Sequence, residues 1–158
     1  MDGYGKKYFI TFINNYSRNI YLYMLHNKSK ALEAFKVFKA DVEKQCEKQI
    51  KIVRTDRSGE YYGRYTEDGK EQGLFAKFIQ QNGVVAQYTM LASPDKNGVE
   101  KRRNRTLLDT VRSMLSSSKL LKSLWIDSLK SAAHILNRVP TRVLPKMLLS
   151  YSEVGNLV

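Results

Sequence analysis

The spacing of apolar residues changes several times along the chain, and each change predicts a new structural element. Residues 6–26 are dense in β-branched and aromatic side chains and are interrupted by the turn formers NNYSRN. This pattern predicts a β-hairpin with strands at about 6–13 and 19–26. Residues 29–47 then change to helical spacing, with apolar side chains recurring every three or four positions.

After residue 47, short apolar runs alternate with helical patterns, which predicts a mixed α/β sheet. The domain is expected to cover residues 1–145, followed by a weakly patterned tail at 146–158. The elements expected within it are a strand at 50–56, an irregular loop at 57–68, a helix at 70–82 ended by Asn82-Gly83, a strand at 84–90, a helix from Asn97 to a serine-rich break at 116–118, and a helix at 122–137.

Positive charge is concentrated in the second part of the chain. The 158 residues carry a formal net charge of +12. Residues 101–158 hold 11 Lys+Arg against 3 Asp+Glu, whereas residues 1–100 hold 16 against 12. Such asymmetry favours a polyanionic partner, most often nucleic acid, because solubility alone does not require it. The alternative is a basic protein with an ordinary solvated surface.

Several classes of protein are not expected from the composition. Cys46 is the single cysteine, so no internal disulfide can form, which agrees with a reducing compartment. One cysteine and the two histidines, His26 and His134, do not supply a zinc-binding spacing. No run of about 18 apolar residues and no charged-then-apolar leader is present, so we expect neither a membrane protein nor a secreted one.

Two carboxylates are candidates for chemistry. Asp56 ends the apolar strand IKIVRTD, at the edge where open α/β sheets present ligand-binding groups. Its alternative role is that of an ordinary aspartate in a turn. Glu100 stands directly before a run of basic residues, where it is either a metal ligand or part of a capping box with Asn97 as N-cap.

The run of basic residues after Glu100 is a candidate nucleic-acid-binding site. Its cationic side chains project in several directions from the start of a helix. There they can contact DNA or RNA phosphates without recognising the base sequence. Cations there oppose the helix dipole, so a purely structural helix would not favour them, although a solvated helix start is the alternative. The predicted nucleic-acid-binding residues are Lys96, Asn97, Lys101, Arg102, Arg103, Asn104 and Arg105.

Together these motifs resemble those of a known family. The stretches YFITFINNYSRNIYLYML, IVRTDRSGEYY, NGVEKRRNRTLLDTVRSML and LWIDSLKSAAHILNRVPTR look like the catalytic core of copia-type LTR-retrotransposon integrases, over about residues 6–145. The resemblance implies a ribonuclease-H-like fold and an Asp, Asp, Glu triad that holds two Mg²⁺ (or Mn²⁺) ions. It also implies DNA partners, namely the element ends and the target, and an intracellular location, nuclear or cytoplasmic.

The chain departs from the family pattern at the expected triad. Asp56 matches the second aspartate, but the first strand with its aspartate is missing before the hairpin, where the chain has only MDGYG. Lys101 occupies the position of the catalytic glutamate, and Glu100 falls one residue early. We therefore expect Glu100 to be a cap instead of a ligand, and catalysis to be impaired.

Two further roles stay open beside that of an integrase core within a longer polyprotein. One is an inactive or co-opted fragment that binds nucleic acid without sequence preference. The other is a module that forms homo-oligomers through the helix at 122–137.

Overall fold

A computed structural model of the chain describes residues 6, 8–14, 17–55, 64–66, 69–71, 73–88, 98–118 and 124–139. It confirms the expected mixed α/β architecture. The strands are β1 (Tyr8–Ile13), β2 (Ile20–Leu25), β3 (Ile52–Thr55), β4 (Arg64–Thr66), β5 (Gly69–Glu71) and β6 (Val85–Tyr88). The helices are α1 (Ala31–Cys46), which follows a single 3-10 turn at Lys28–Lys30, α2 (Leu74–Gln81), α3 (Gly98–Ser118) and α4 (Trp125–Leu136).

The strands form three two-stranded sheets. β1 and β2 are antiparallel, with a register that runs from Tyr8 opposite Leu25 to Ile13 opposite Ile20. β3 and β6 are parallel, and β4 and β5 are antiparallel. No ladder joins β1 to β3 within the described part of the chain.

The β1–β2 sheet lies between two layers of helices. Alternate residues of a strand point to opposite faces, and both strands are apolar on both faces. Ile10 and Phe12 pack into one core cluster with Phe35 of α1. Ile13 belongs to a second cluster with Leu107 of α3 and residues of α4. α1 and α3 therefore cover opposite faces of this sheet.

Asn137, directly after α4, fastens this helix to β2. Its side-chain Oδ1 accepts a hydrogen bond of 2.7 Å from the backbone N–H of Ile20, and its Nδ2 donates one of 2.8 Å to the Ile20 carbonyl. The amide thereby satisfies both backbone groups of Ile20, as a neighbouring strand would.

The structure corrects three predictions about local elements. The prediction of an irregular loop at 57–68 is wrong for residues 64–66, which form β4 and pair with β5. The prediction of a helix from residue 70 is wrong at its start, because residues 69–71 form β5 and α2 begins at Leu74. The serine-rich break is also wrong, since α3 continues to Ser118, whose hydroxyl bonds the Met114 carbonyl at 2.7 Å.

The predicted end of the second helix is confirmed, because Gly83 has the left-handed φ of +68°. The predicted tail at 146–158 lies outside the described residues. Within the part of the chain that is described, no helix combines the length and the apolar character needed to cross a membrane.

Candidate nucleic-acid interface

The inward face of α3 fixes which of its residues can meet a partner. Leu107 and Val111 are buried in the cluster shared with β1, β2 and α4. One and two turns before Leu107, respectively, Asn104 and Glu100 continue the same face. The hydroxyl of Thr11 in β1 donates a hydrogen bond of 2.8 Å to Oδ1 of Asn104, which anchors this face to the sheet.

Glu100 lies on this inward face, with 1% of its surface exposed, whereas Lys101 is exposed. One residue is a rotation of 100° about a helix, so neighbours in sequence can point to the protein interior and to solvent. The carboxylate of α3 that faces the sheet is therefore at position 100. Asn97 lies outside the described residues, so the capping box stays a prediction.

The outward face carries three exposed cations in the first two turns, namely Lys101, Arg102 and Arg105. We call these three residues the α3 basic surface. Nε of Arg105 lies 3.9 Å from Oδ2 of Asp109, while Oδ1 of Asp109 accepts a hydrogen bond of 2.9 Å from Arg112. A long, exposed pair of this kind contributes little free energy, so Arg105 stays available to an anion.

Arg103 turns away from this surface and is half-buried. Its Nε donates to the carbonyl oxygen of Arg18 at 3.0 Å, and its Nη2 donates to that of Leu136 at 2.8 Å. Burial lowers the pKa of the Arg103 guanidinium, and the positive charge of Arg18 lowers it further. Arg103 thus joins α3 to the turn between β1 and β2 and to the end of α4.

The predicted binding set is therefore divided between two faces of α3. Lys101, Arg102 and Arg105 point outward, while Arg103 and Asn104 hold the helix in place. The remaining predicted residues lie outside the described part of the chain: Asp56, Lys96 and Asn97.

The sequence analysis did not predict that Thr11 and Arg18 contact α3. A threonine within an apolar strand and an arginine among turn-forming residues are the available signals, and neither identifies its partner on α3.

The described residues lack the ligands that a magnesium site requires. Mg²⁺ prefers hard oxygen ligands, and a pair of ions needs carboxylates gathered from separate elements. No group of three or more His, Cys, Asp or Glu side chains suited to a metal ion exists among the described residues. These residues alone therefore do not fit a two-metal site.

Relatives of this chain are found among the polyproteins of retrotransposons. The chain is 34% identical over 159 residues to the retrovirus-related Pol polyprotein from transposon TNT 1-94 of Nicotiana tabacum, a match that covers 95% of the chain and 11% of the polyprotein. It is 29% identical to the transposon Ty1-LR3 Gag-Pol polyprotein of Saccharomyces cerevisiae, over 95% of the chain and 8% of the polyprotein. It is 25% identical to the retrovirus-related Pol polyprotein from transposon RE2 of Arabidopsis thaliana, over 91% of the chain and 9% of the polyprotein.

The fold is shared with a viral assembly of known structure. A chain of the simian T-cell lymphotropic virus intasome, solved in complex with PP2A regulatory subunit B56 gamma, superposes with a TM-score of 0.64 at 13% identity. The match covers 88% of this chain and 46% of that chain. No family model matches the sequence. The superposition confirms the expected fold class at the level of the architecture that this chain shares with that intasome chain.

Proposed function

We infer that this chain, which belongs to the integrase-core family of retrotransposon Pol polyproteins, binds DNA through the α3 basic surface. Within that family we assign it to the copia type, from the motifs that surround Asp56 and Glu100. The chain spans about a tenth of the polyproteins it matches. DNA integration, the contact with element ends and target, and assembly into an oligomer or a longer polyprotein are therefore parts of the proposal.

One observation carries the proposal: three cations project from the first turns of a helix whose opposite face is buried. Leu107 is fully buried and Asn104 is hydrogen-bonded to β1, so α3 cannot rotate about its own axis to hide them. A rigid display of charge lowers the entropic cost of binding compared with flexible side chains on a mobile loop.

The position of these cations on the helix supports binding over a structural role. The N-terminal end of a helix carries partial positive charge, so cations in its first turns raise the free energy of the isolated helix. A bound polyanion would offset the unfavourable interaction of these cations with the helix dipole. It would also offset the repulsion among the cationic side chains. Contacts to phosphates confer affinity without reading bases, so the binding is expected to be independent of sequence.

The proposal is tested by measuring the affinity of the chain for a fluorescently labelled duplex of random sequence. Replacing the three residues of the α3 basic surface with glutamine should weaken binding by roughly 10- to 100-fold at about 0.1 M salt. The change removes charge from exposed positions, so the thermal midpoint of unfolding should stay close to that of the unaltered chain.

A matched control removes the same number of charges from the other side of the molecule. Lys44 lies on α1, Lys51 precedes β3 and Lys77 lies on α2, and all three are exposed. Their combined replacement with glutamine should weaken binding much less. Equal losses in the two triple variants would show that net charge, and not the α3 surface, determines affinity, and would overturn the proposal.

A second candidate function is metal-dependent cutting and joining of DNA, with Asp56 and Glu100 as ligands of Mg²⁺ or Mn²⁺. The observation that favours it is the inward direction of Glu100 on α3. Because the first aspartate of the family pattern is missing and Lys101 occupies the position of the catalytic glutamate, we expect the chain alone to leave supercoiled plasmid intact in either metal. Nicking that Asp56→Asn abolishes would establish this second function.

A further inference from the structure

Two arginines from distant parts of the chain meet beside α3. Arg103 donates a hydrogen bond of 3.0 Å to the carbonyl oxygen of Arg18, in the turn between β1 and β2. Both residues are half-buried. The guanidinium groups are near enough for the charge of Arg18 to lower the pKa of Arg103. Like charges therefore repel at this junction of the turn, α3 and the end of α4.

The described residues do not neutralise this pair. None of the ion pairs among them involves Arg18 or Arg103. Arg103 is held by the carbonyl oxygens of Arg18 and Leu136, which accept hydrogen bonds but carry no net charge. Burial of an arginine with only dipolar partners costs free energy that a bound anion would offset.

The backbone of Arg18 adds an independent sign of function. Its φ is +60°, in the left-handed region that costs a non-glycine residue roughly 1–2 kcal/mol. Its N–H donates to the Asn14 carbonyl at 2.8 Å, which closes the turn through the backbone alone. Glycine would suit this conformation better, so the arginine side chain is not required by the turn.

We propose that Arg18 and Arg103 together bind a phosphate of the DNA backbone and extend the α3 basic surface across the turn between β1 and β2. This inference rests on the proposed DNA binding. The partner is assigned as a backbone phosphate because the pair is cationic and lies on the same helix as the α3 basic surface, and phosphate is the anion that the proposed DNA binding supplies.

The hydrogen-bond capacity of the pair fits this ligand. A guanidinium has five N–H groups. Arg103 uses two of its nitrogens, Nε and Nη2, for the two carbonyls. Its remaining N–H groups and those of Arg18 are donors for the unesterified phosphate oxygens. The planar fork of arginine matches this group better than the ammonium of lysine does.

The test is the dependence of DNA affinity on salt in two variants at position 18. Arg18→Gly removes the charge and relieves the left-handed strain, so the protein should unfold at the same temperature or higher. Its log–log slope of affinity against salt should become shallower by roughly one unit, as expected for one lost phosphate contact. Arg18→Lys keeps the charge and should keep the slope.

Each combination of results gives a distinct answer. An unchanged slope in Arg18→Gly, with weaker binding in the triple variant of the α3 surface, would overturn the arginine pair and leave the proposed function standing. Unchanged DNA binding in Arg18→Gly and in the triple variant would overturn the arginine pair and also the proposed DNA binding by the α3 basic surface. If the slope of affinity against salt became equally shallow in Arg18→Lys and Arg18→Gly, the change would not depend on the charge at position 18. That result would also overturn the arginine pair.

Discussion

The hydroxyl of Thr11 donates a hydrogen bond of 2.8 Å to Oδ1 of Asn104, across 93 residues of sequence. This contact joins the β1 strand to the helix α3 within a mostly apolar layer. It selects the side of α3 that faces the sheet, and so it also selects the side that faces solvent. The outward direction of the α3 basic surface is a consequence of this internal contact.

The first prediction concerns the strength of this contact. Thr11→Val keeps the shape of the side chain but removes the donor to Asn104, and should lower the free energy of unfolding by about 1–3 kcal/mol. Urea denaturation of both single variants and of the double variant with Asn104→Ala measures the coupling. We expect a coupling energy of about 1 kcal/mol, whereas strictly additive losses would show that the two side chains act independently.

The second prediction compares neighbouring positions of α3. Glu100→Lys places an ammonium at a site with 1% exposure and should destabilise the fold by about 3 kcal/mol or more. Lys101→Glu changes an exposed side chain and should change stability by about 0.5 kcal/mol or less. Thermal unfolding followed by circular dichroism distinguishes the two. Similar losses at both positions would contradict the assigned rotation of the helix.

The third prediction separates the charge of Arg103 from its hydrogen bonds. Arg103→Lys keeps the charge but cannot reach both carbonyl oxygens in the planar geometry of the guanidinium, so it should lower the free energy of unfolding by about 1–3 kcal/mol. Arg105→Lys, at an exposed position whose pair with Asp109 is 3.9 Å long, is the matched control and should unfold like the unaltered chain. Equal stability of the two variants would rule out the joining role of Arg103.

The fourth prediction concerns stability at alkaline pH. Burial raises the pKa of the Tyr23 phenol to about 12, and the negative charge of Asp41 and the neighbouring Tyr21 add to the effect. In the unfolded chain the phenol loses its proton near pH 10, so the folded state binds this proton more tightly. The contribution to stability is fully present below pH 10 and is lost as the pH rises from about 10 to about 12.

Tyr23→Phe cannot ionise and is the control for this effect. Its free energy of unfolding should decrease less steeply over the same pH range than that of the unaltered chain. Parallel curves in urea titrations at several pH values would show that Tyr23 has no such influence.

Local patterns were sufficient to predict the elements whose faces are strongly apolar. The density of β-branched and aromatic residues identified the β1–β2 hairpin, and the helical spacing of apolar residues over 29–47 identified α1. The β4–β5 hairpin was missed because its strands have three residues each, too few for a period to be recognised.

The roles of Arg103 and Asn104 could not be predicted from their neighbours in sequence. Arg103 bonds carbonyls that are 85 and 33 residues away, and such partners depend on how the turn and α4 dock against α3. A run of basic residues looks uniform in sequence, whereas the fold assigns each of its members to the interior or to solvent.

The most direct test of DNA binding by α3 is the slope of log affinity against log salt concentration for the unaltered chain and the triple glutamine variant at Lys101, Arg102 and Arg105. If each of these cations contacts one phosphate, the slope should become shallower by roughly three units in the variant. A slope that is the same in both proteins would show that these residues release no counterions on binding, and it would contradict the assignment of α3 as the DNA-binding element.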